Sequence, residues 1–464
     1  MELSDDILIL KDLVVKLLAR IEVLEAENAE LRSRLNQNSA NSHQPPSSEG
    51  LKKKPAFSQS QGKKTGGQFG HAGKTLSMVS SPDHILVHHA PCCGCCSKVF
   101  TISDVSSILQ KRQVFDIPAP RLEVLEHQIG IITCCGQVHQ GSFPSMVNQP
   151  VQYGSKIKAL SVLLNTDYKV PFEKIEQLLG DLYNCTFNES TAISANTTCF
   201  DALEETENQI RAQILNSSVA HFDETGMRVA GKLHWFHVAS TTLFTYLFVH
   251  AKRGKEAIQS SYSLLNDFKN WAVHDCWKSY FDLPNCSHAL CNAHILRELE
   301  ALKENNSLWA PQMKELLIEL FHLSQKATVI VPNKDIWRQK YLEICHHADI
   351  EEPPPIKGKK GNRSGGRPKN SKGRNLLNRL VEHQEGVLAF AFTEIVPFTN
   401  NQAERDIRSL KTKQKVATSF RTFKGAENHA RIQSFVSTLR KHQMNVFQNL
   451  IHVFNQKQVV FETT

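Results

Sequence analysis

At 464 residues the chain is too long for one hydrophobic core, and three or more domains are expected. Hydrophobic residues at 41% and charged residues at 22% are ordinary for soluble globular protein, and no apolar run approaches the ~20 residues of a membrane span. Net charge is +8 but unevenly placed: nine lysines and arginines and no acid lie between Pro353 and Val381, which favours phosphate-bearing partners.

The acidic start MELSDDILIL lacks the cationic end of a signal peptide, and six of the 12 cysteines sit in the clusters CCGCC and TCC. Both features lead us to expect a cytoplasmic protein whose thiols are free or metal-bound rather than paired.

Residues 1–38 carry a heptad, with Ile7, Val14, Ile21, Asn28 and Leu35 at a and Leu3, Leu10, Leu17, Leu24 and Leu31 at d. One Asn among β-branched a residues, with Leu at d, is a parallel-dimer pattern, and Arg20–Glu25 and Glu27–Arg32 would pair across it. A coiled-coil homodimer or higher oligomer is therefore expected; a single amphipathic helix lying on another domain is the alternative. Residues 39–82, rich in Ser, Gln, Gly and Lys, read as a disordered basic linker.

Residues 83–150 read as a zinc-ribbon-like β domain, from HILVHH, KRQVFDIP and LEVLEHQIGIITCCG. Cys92 with Cys95, or Cys93 with Cys96, has knuckle spacing, and Cys134, Cys135 and His139 are candidates for the remaining zinc ligands; a metal-free ribbon is the other reading. Residues 151–216 read as a helical, helix-turn-helix-like DNA-binding domain, in proportions that any three-helix unit shares.

After Asn216 the period changes to strands: SVAHFDETG, LHWFHVAST and LFTYLFVH, a helix near Lys255, then WAVHDCW. Three strands, a helix and a fourth strand are the opening order of a ribonuclease-H-like α/β sheet. Asp223 is expected to end the first strand and Asp275 the fourth, side by side on parallel neighbours. A helical and basic insertion spans 295–395, where Gly366-Arg367-Pro368-Lys369 resembles a minor-groove hook or is a solvated loop. Pro397 blocks a helix, and Thr399 or Asn400 can cap the next, which carries Glu404, Arg408 and Lys411 on one side. Residues 217–425 thus read as a catalytic core and 426–464 as C-terminal helices.

Asp223, Asp275 and Glu404 form a carboxylate set suited to two divalent ions at a phosphodiester. Mg²⁺ fits it, since that ion takes oxygen ligands and keeps open water positions. Glu224 and Asp406 are expected to face away from the set and to be dispensable.

The motifs HFDETG, LHWFHVAST, RGKEAI, VHDCWKSY, HALCNAHILREL, NNQAERDIR and KQKVATSFRT together resemble the transposases of the insertion sequence 66 family. The likeness runs from the heptad helix to the C-terminus. It implies a DDE-type DNA transposase with Asp223, Asp275 and Glu404 as catalytic, Mg²⁺- or Mn²⁺-holding acids. It also implies cleavage at element ends, strand transfer into target DNA, a zinc-ribbon region, and companion proteins encoded by the same element among the partners. Arg405, Arg408, Lys411, Lys413, Lys415 and Arg421, with Arg367 and Lys369, would hold DNA. Cys291 and His294 match the family's Cys-x-x-His, which would steady the wall of the site. Two departures stand out: Cys92-Cys93-Gly94-Cys95-Cys96 replaces a Cys-x-x-Cys-Gly pair, and Ala417, Thr418 and Ser419 stand where small or glycine residues are usual. A non-catalytic, transposase-derived dimeric DNA-binding protein and a purely hydrolytic nuclease are the rival readings.

Overall fold

The computed structural model describes residues 7–35, 76–282, 285–326, 331–355 and 370–461. These divide into two units, residues 76–123 and the remainder, which are described separately. Residues 39–75 of the expected linker and the Gly366–Lys369 motif lie outside the described residues, and 76–82 form no helix or strand.

In the smaller unit, Cys92 and Val99 form an isolated antiparallel bridge around a turn closed by Ser97 N–H to the Cys93 carbonyl. A short 3-10 turn, Ile102–Asp104, is held by Thr101 and Asp104 capping one another and by a 2.7 Å Lys98–Asp104 ion pair. The expected strands HILVHH and KRQVFDIP do not form; Ile85, Leu86, Val114 and Ile117 are exposed. β-forming side chains need a face to bury before they hold a ladder, and among the described residues these four find none.

In the larger unit, helix α1 (Ile7–Leu35) presents Val14, Leu17, Ile21, Leu24 and Leu31 to solvent, so its heptad seam is uncovered. Strands β1 (Ile131–Cys134) and β2 (Gln137–Gln140) form a hairpin, the one part of the expected β domain that pairs as strands in this unit. Its two-residue turn has Cys135 at φ 54° and Gly136 at φ 77°, the left-handed pair that matches hairpin twist.

Helices α2 (Ser155–Thr166), α3 (Phe172–Tyr183), α4 (Glu189–Ala202) and α5 (Glu204–Leu215) follow, as expected. Asn188 caps α4 by accepting the Thr191 N–H. Helices α2 and α4 do not form a separate core. Their Ala159, Val162, Cys199 and Leu203 pack with Ile432, Phe435, Leu439 and Leu450 of the C-terminal helices α13 (Phe423–Lys441) and α14 (Val446–Phe454).

The main sheet contains β3 (Val219–Val229), β4 (Lys232–Ser240), β5 (Thr245–His250), β6 (Trp271–His274) and β7 (Ser287–Leu290), in the order β5-β4-β3-β6-β7. The first three are antiparallel, while β6 and β7 run parallel to β3; β8 (Ser419–Phe420) adds to the far end of β3. The sheet edge at β5 is covered by α13, whose Thr438 and Ser434 hydroxyls accept the outward N–H groups of Thr245 and Leu247.

One sheet face carries Ala220, Phe222, Phe268 and Tyr280 with Ile210 and Ile214 of α5. The other carries Met227, Val229, Phe236 and Val238, packed on Ala403, Ile407 and Leu410 of α12 (Asn401–Ala417). Between them runs the expected insertion: after the short α6 (Lys255–Ile258) come α7 (Asn292–Glu304), α8 (Trp309–Lys326), α9 (Lys334–Glu351), α10 (Lys372–Glu382) and α11 (Gln384–Phe392). These pack around Trp309, Leu317, Tyr341, Leu377 and Leu388.

Candidate active site

The parallel pairing of β3 with β6 runs from Val219↔Trp271 to His221↔Val273. Asp223 lies two residues past the last paired residue of β3, and Asp275 follows the end of β6, close enough for its charge to act on Asp223. Contrary to the expectation from sequence, Asp223 does not end its strand; β3 continues to Val229, still paired with β4. It is the pairing with β6 that stops before Asp223, so both acids occupy the mouth where the two strands part.

Each acid is fixed by a backbone donor. The Glu224 N–H donates to Asp223 Oδ1 at 2.9 Å, and the Trp277 N–H donates to Asp275 Oδ1 at 3.1 Å. Glu404 enters from the first turn of α12, facing the same side of the sheet as Asp223. Burial pushes the Asp223 carboxyl well above the usual carboxylate range, and the negative charges of Glu224, Asp275 and Glu404 push it further. Lys411, two turns beyond Glu404, is exposed overall but partly desolvated on its inner side, which lowers its pKa while the Asp223 charge raises it.

Asn400 holds α12 against β3. Its side chain makes no helix cap, contrary to expectation. Instead, Asn400 Oδ1 accepts from His221 Nδ1 at 3.0 Å and Nδ2 donates to the Phe222 carbonyl at 2.8 Å. His221 is neutral here, its pKa lowered to about 4 chiefly by burial. The Asn400 N–H donates to Cys291 Sγ at 3.1 Å, tying the same point to the start of α7.

Glu224 does point to the opposite face from Asp223, but it is not a dispensable surface acid. It is buried, paired with Arg253 Nη2 at 2.6 Å, and accepts the Tyr280 hydroxyl. Burial and the Asp275 charge raise its pKa. Arg253 in turn lies over the rings of Trp235 (5.0 Å) and Trp277 (4.3 Å). Sequence reasoning missed this network, although RGKEAI and VHDCWKSY contain Arg253 and Tyr280. Asp406 is likewise no free control. It accepts from Ser240, Thr245 and Lys441 at 2.6, 2.8 and 2.7 Å on the far side of α12.

Of the expected DNA-contacting cations, Arg405, Arg408, Lys411, Lys415 and Arg421 are exposed. Lys413 is not: it is buried, with Nζ 3.4 Å from the Asn165 carbonyl, and it leaves the set. Arg367 and Lys369 lie outside the described residues. Cys134 and Cys135 are exposed at the β1–β2 turn with their Sγ atoms 3.6 Å apart. In the other cluster the Cys96 and Cys95 N–H groups converge on Cys93, lowering its thiol to about 7.

The donor set suits a divalent ion. Asp223 is buried among like charges that a cation would relieve, and Glu404 Oε1 is buried without a hydrogen bond. Residues 150–428 match the model of a family described as Transposase IS66 family. The chain belongs to that family. An IS66-family transposase acts in DNA transposition, which makes DNA its partner. Residues 3–77 separately match a family of unknown function, DUF6444. No curated protein matches the chain. Among the described residues no helix is long and apolar enough to cross a membrane.

Proposed function

We propose that this transposase is of the DDE type, built on a ribonuclease-H-like core, with Asp223, Asp275 and Glu404 as its catalytic acids. The observation that supports the reading is the convergence of charge on buried Asp223, which feels both Asp275, just past the paired end of β6, and Glu404 of α12. The sheet order β5-β4-β3-β6-β7, with three antiparallel strands followed by two parallel ones, supports the core assignment.

The three carboxylates would hold Mg²⁺ or Mn²⁺. Such ions, when bound, activate the attacking oxygen and stabilise the leaving oxygen of a phosphodiester. The chain's own residues do the rest. His221 and Asn400 fix α12 to β3, Glu224 with Arg253 and Tyr280 stiffens the strand under Asp223, and Trp277 orients Asp275. Arg405, Arg408, Lys411, Lys415 and Arg421 hold DNA phosphates and set register without reading sequence. Strand cleavage at an element end, then joining of that end to target DNA, is the reaction sequence. The exposed seam of α1 pairs two protomers, which is what bringing two ends together requires.

The test is a reaction of the purified chain with duplexes carrying the element's ends, Mg²⁺ or Mn²⁺, and a target plasmid. End cleavage with joined product is expected. End binding without either product would favour the non-catalytic DNA-binding reading, and cleavage without joining the nuclease. In parallel, sedimentation should show a dimer that Leu17→Lys with Leu24→Lys converts to monomer; an unchanged mass would remove α1 from the assembly.

A further inference from the structure

Cys291, His294 and Glu404 arrive from different parts of the chain and meet. Cys291 is the residue between β7 and α7, His294 follows in the first turn of α7, and Glu404 comes from α12. One ligand atom from each lies within 4.8 Å of the other two. Cys291 is buried, and His294 Nε2 stands 3.9 Å from Glu404 Oε1, beyond hydrogen-bond length. Edges of a tetrahedral zinc site with these donors are roughly 3.3–3.8 Å, so a closure of about 1 Å would complete three vertices.

A thiol, an imidazole and a carboxylate are the wrong set for an ion of the Mg²⁺ class, which takes oxygen donors. They are the right set for a borderline ion such as Zn²⁺, with the fourth vertex left to water or a phosphate oxygen. We propose that Cys291, His294 and Glu404 form a second metal site, selective for zinc-class ions, which takes Glu404 away from Asp223 and Asp275 and thereby switches cleavage off. On loading, the Cys291 thiol proton passes to solvent as the sulfur–metal bond forms; nothing is oxidised or reduced. Only the switching rests on the proposed catalytic role of Glu404, because binding at these three residues stands without it. The same Cys-x-x-His that steadies the wall in the metal-free form thus becomes a competitor for the third acid.

The experiment uses the full chain and Co²⁺ as a spectroscopic stand-in for zinc. Wild type, Cys291→Ser and His294→Asn are titrated, with circular dichroism confirming that each variant is folded. Both variants should lose about one equivalent of cobalt and part of the thiolate-to-cobalt band, while the exposed cysteine clusters keep their share. Unchanged stoichiometry in both variants overturns the site; if Cys291→Ser does not fold, His294→Asn decides alone. In the second arm, Zn²⁺ is added to Mg²⁺-supported end cleavage, each protein being compared with its own zinc-free rate. Wild type should lose most of its rate and the variants little. Cobalt binding with no zinc inhibition overturns the switch. A wild type inert with Mg²⁺ alone means instead that the proposed function has failed, and the cobalt result still stands.

Discussion

Asp223 lies two residues beyond His221 on β3, and Asp275 two residues beyond Val273 on β6, while His221 and Val273 are themselves paired in register. Both acids therefore follow directly from the last paired rung of one parallel ladder. Anything that slips β6 against β3 moves Asp275 away from Asp223, so residues that pin these strands matter as much as the acids do. Glu224 and Asn400 both have buried side-chain contacts to other elements.

Glu224→Gln should destabilise the fold by about 2 kcal/mol, since it leaves the Arg253 guanidinium and the Tyr280 hydroxyl facing a neutral amide. Urea denaturation checks it. Adding Arg253→Met to Glu224→Gln should recover part of the loss, because the unpaired charge is then gone. Equal stability of Glu224→Gln and wild type would mean that the pair contributes nothing.

Lys413 gives a pH-dependent prediction. Burial lowers its ammonium from the ordinary 10.5 to about 8, so the folded state holds this proton less tightly than the unfolded chain. The group therefore weakens the fold fully below pH 8, and the penalty is relieved as pH rises from about 8 towards 10.5. At neutral pH it is on the order of 3 kcal/mol. Lys413→Met should be the more stable protein at pH 7, and its advantage should shrink steadily towards pH 10. A difference that does not change with pH would show that Lys413 is not charged and buried at neutral pH.

Thr418 closes α12 at φ 57° and ψ −51°, a strained conformation for a β-branched residue. Here the sequence departs from the small or glycine residues of the resemblance, and the structure shows why such residues suit the position. Thr418→Gly should raise stability by about 1 kcal/mol, the relief of backbone strain exceeding the added freedom of the unfolded chain. Thermal melts would show it; a lower melting temperature would place the strain elsewhere.

Much of this was legible in the chain because it was local. Alternating strands, the helical insertion and α12 all follow from periodicity, and Asp275 and Glu404 stand where a strand ends and a helix begins, whereas Asp223 lies mid-strand. What was not legible depends on distant partners. Asn400 looked like a cap, but its amide serves His221, 179 positions away, and no local pattern records that. Glu224 looked like a spare acid because Arg253 and Tyr280 reach it through the fold. Lys413 is different: it lies three residues past Leu410 on the Ala403–Ile407–Leu410 stripe, so helical spacing alone marked it as inward-facing. The segments 84–89 and 111–118 carry β-forming apolar residues, yet Ile85, Leu86, Val114 and Ile117 stay exposed, and composition without burial misled.

Glu404→Gln is the sharpest probe of the site. The change keeps volume and shape and removes one negative charge, so the packing of α12 through Ala403, Ile407 and Leu410 is untouched. Folding and binding of element ends should persist, while end cleavage should fall by on the order of 100-fold or more. Asp406→Asn cannot serve as the neutral control, because it strips the counter-charge from Lys441, a buried lysine already lowered to about 8 by burial. Glu394, exposed beyond the end of α11, is the better choice, and Glu394→Gln should cleave like wild type. The two measurements, end binding by mobility shift and cleavage by strand analysis, separate loss of chemistry from loss of fold. If Glu404→Gln cleaves as well as Glu394→Gln does, then Glu404 is a wall residue, and the third acid has to be sought elsewhere.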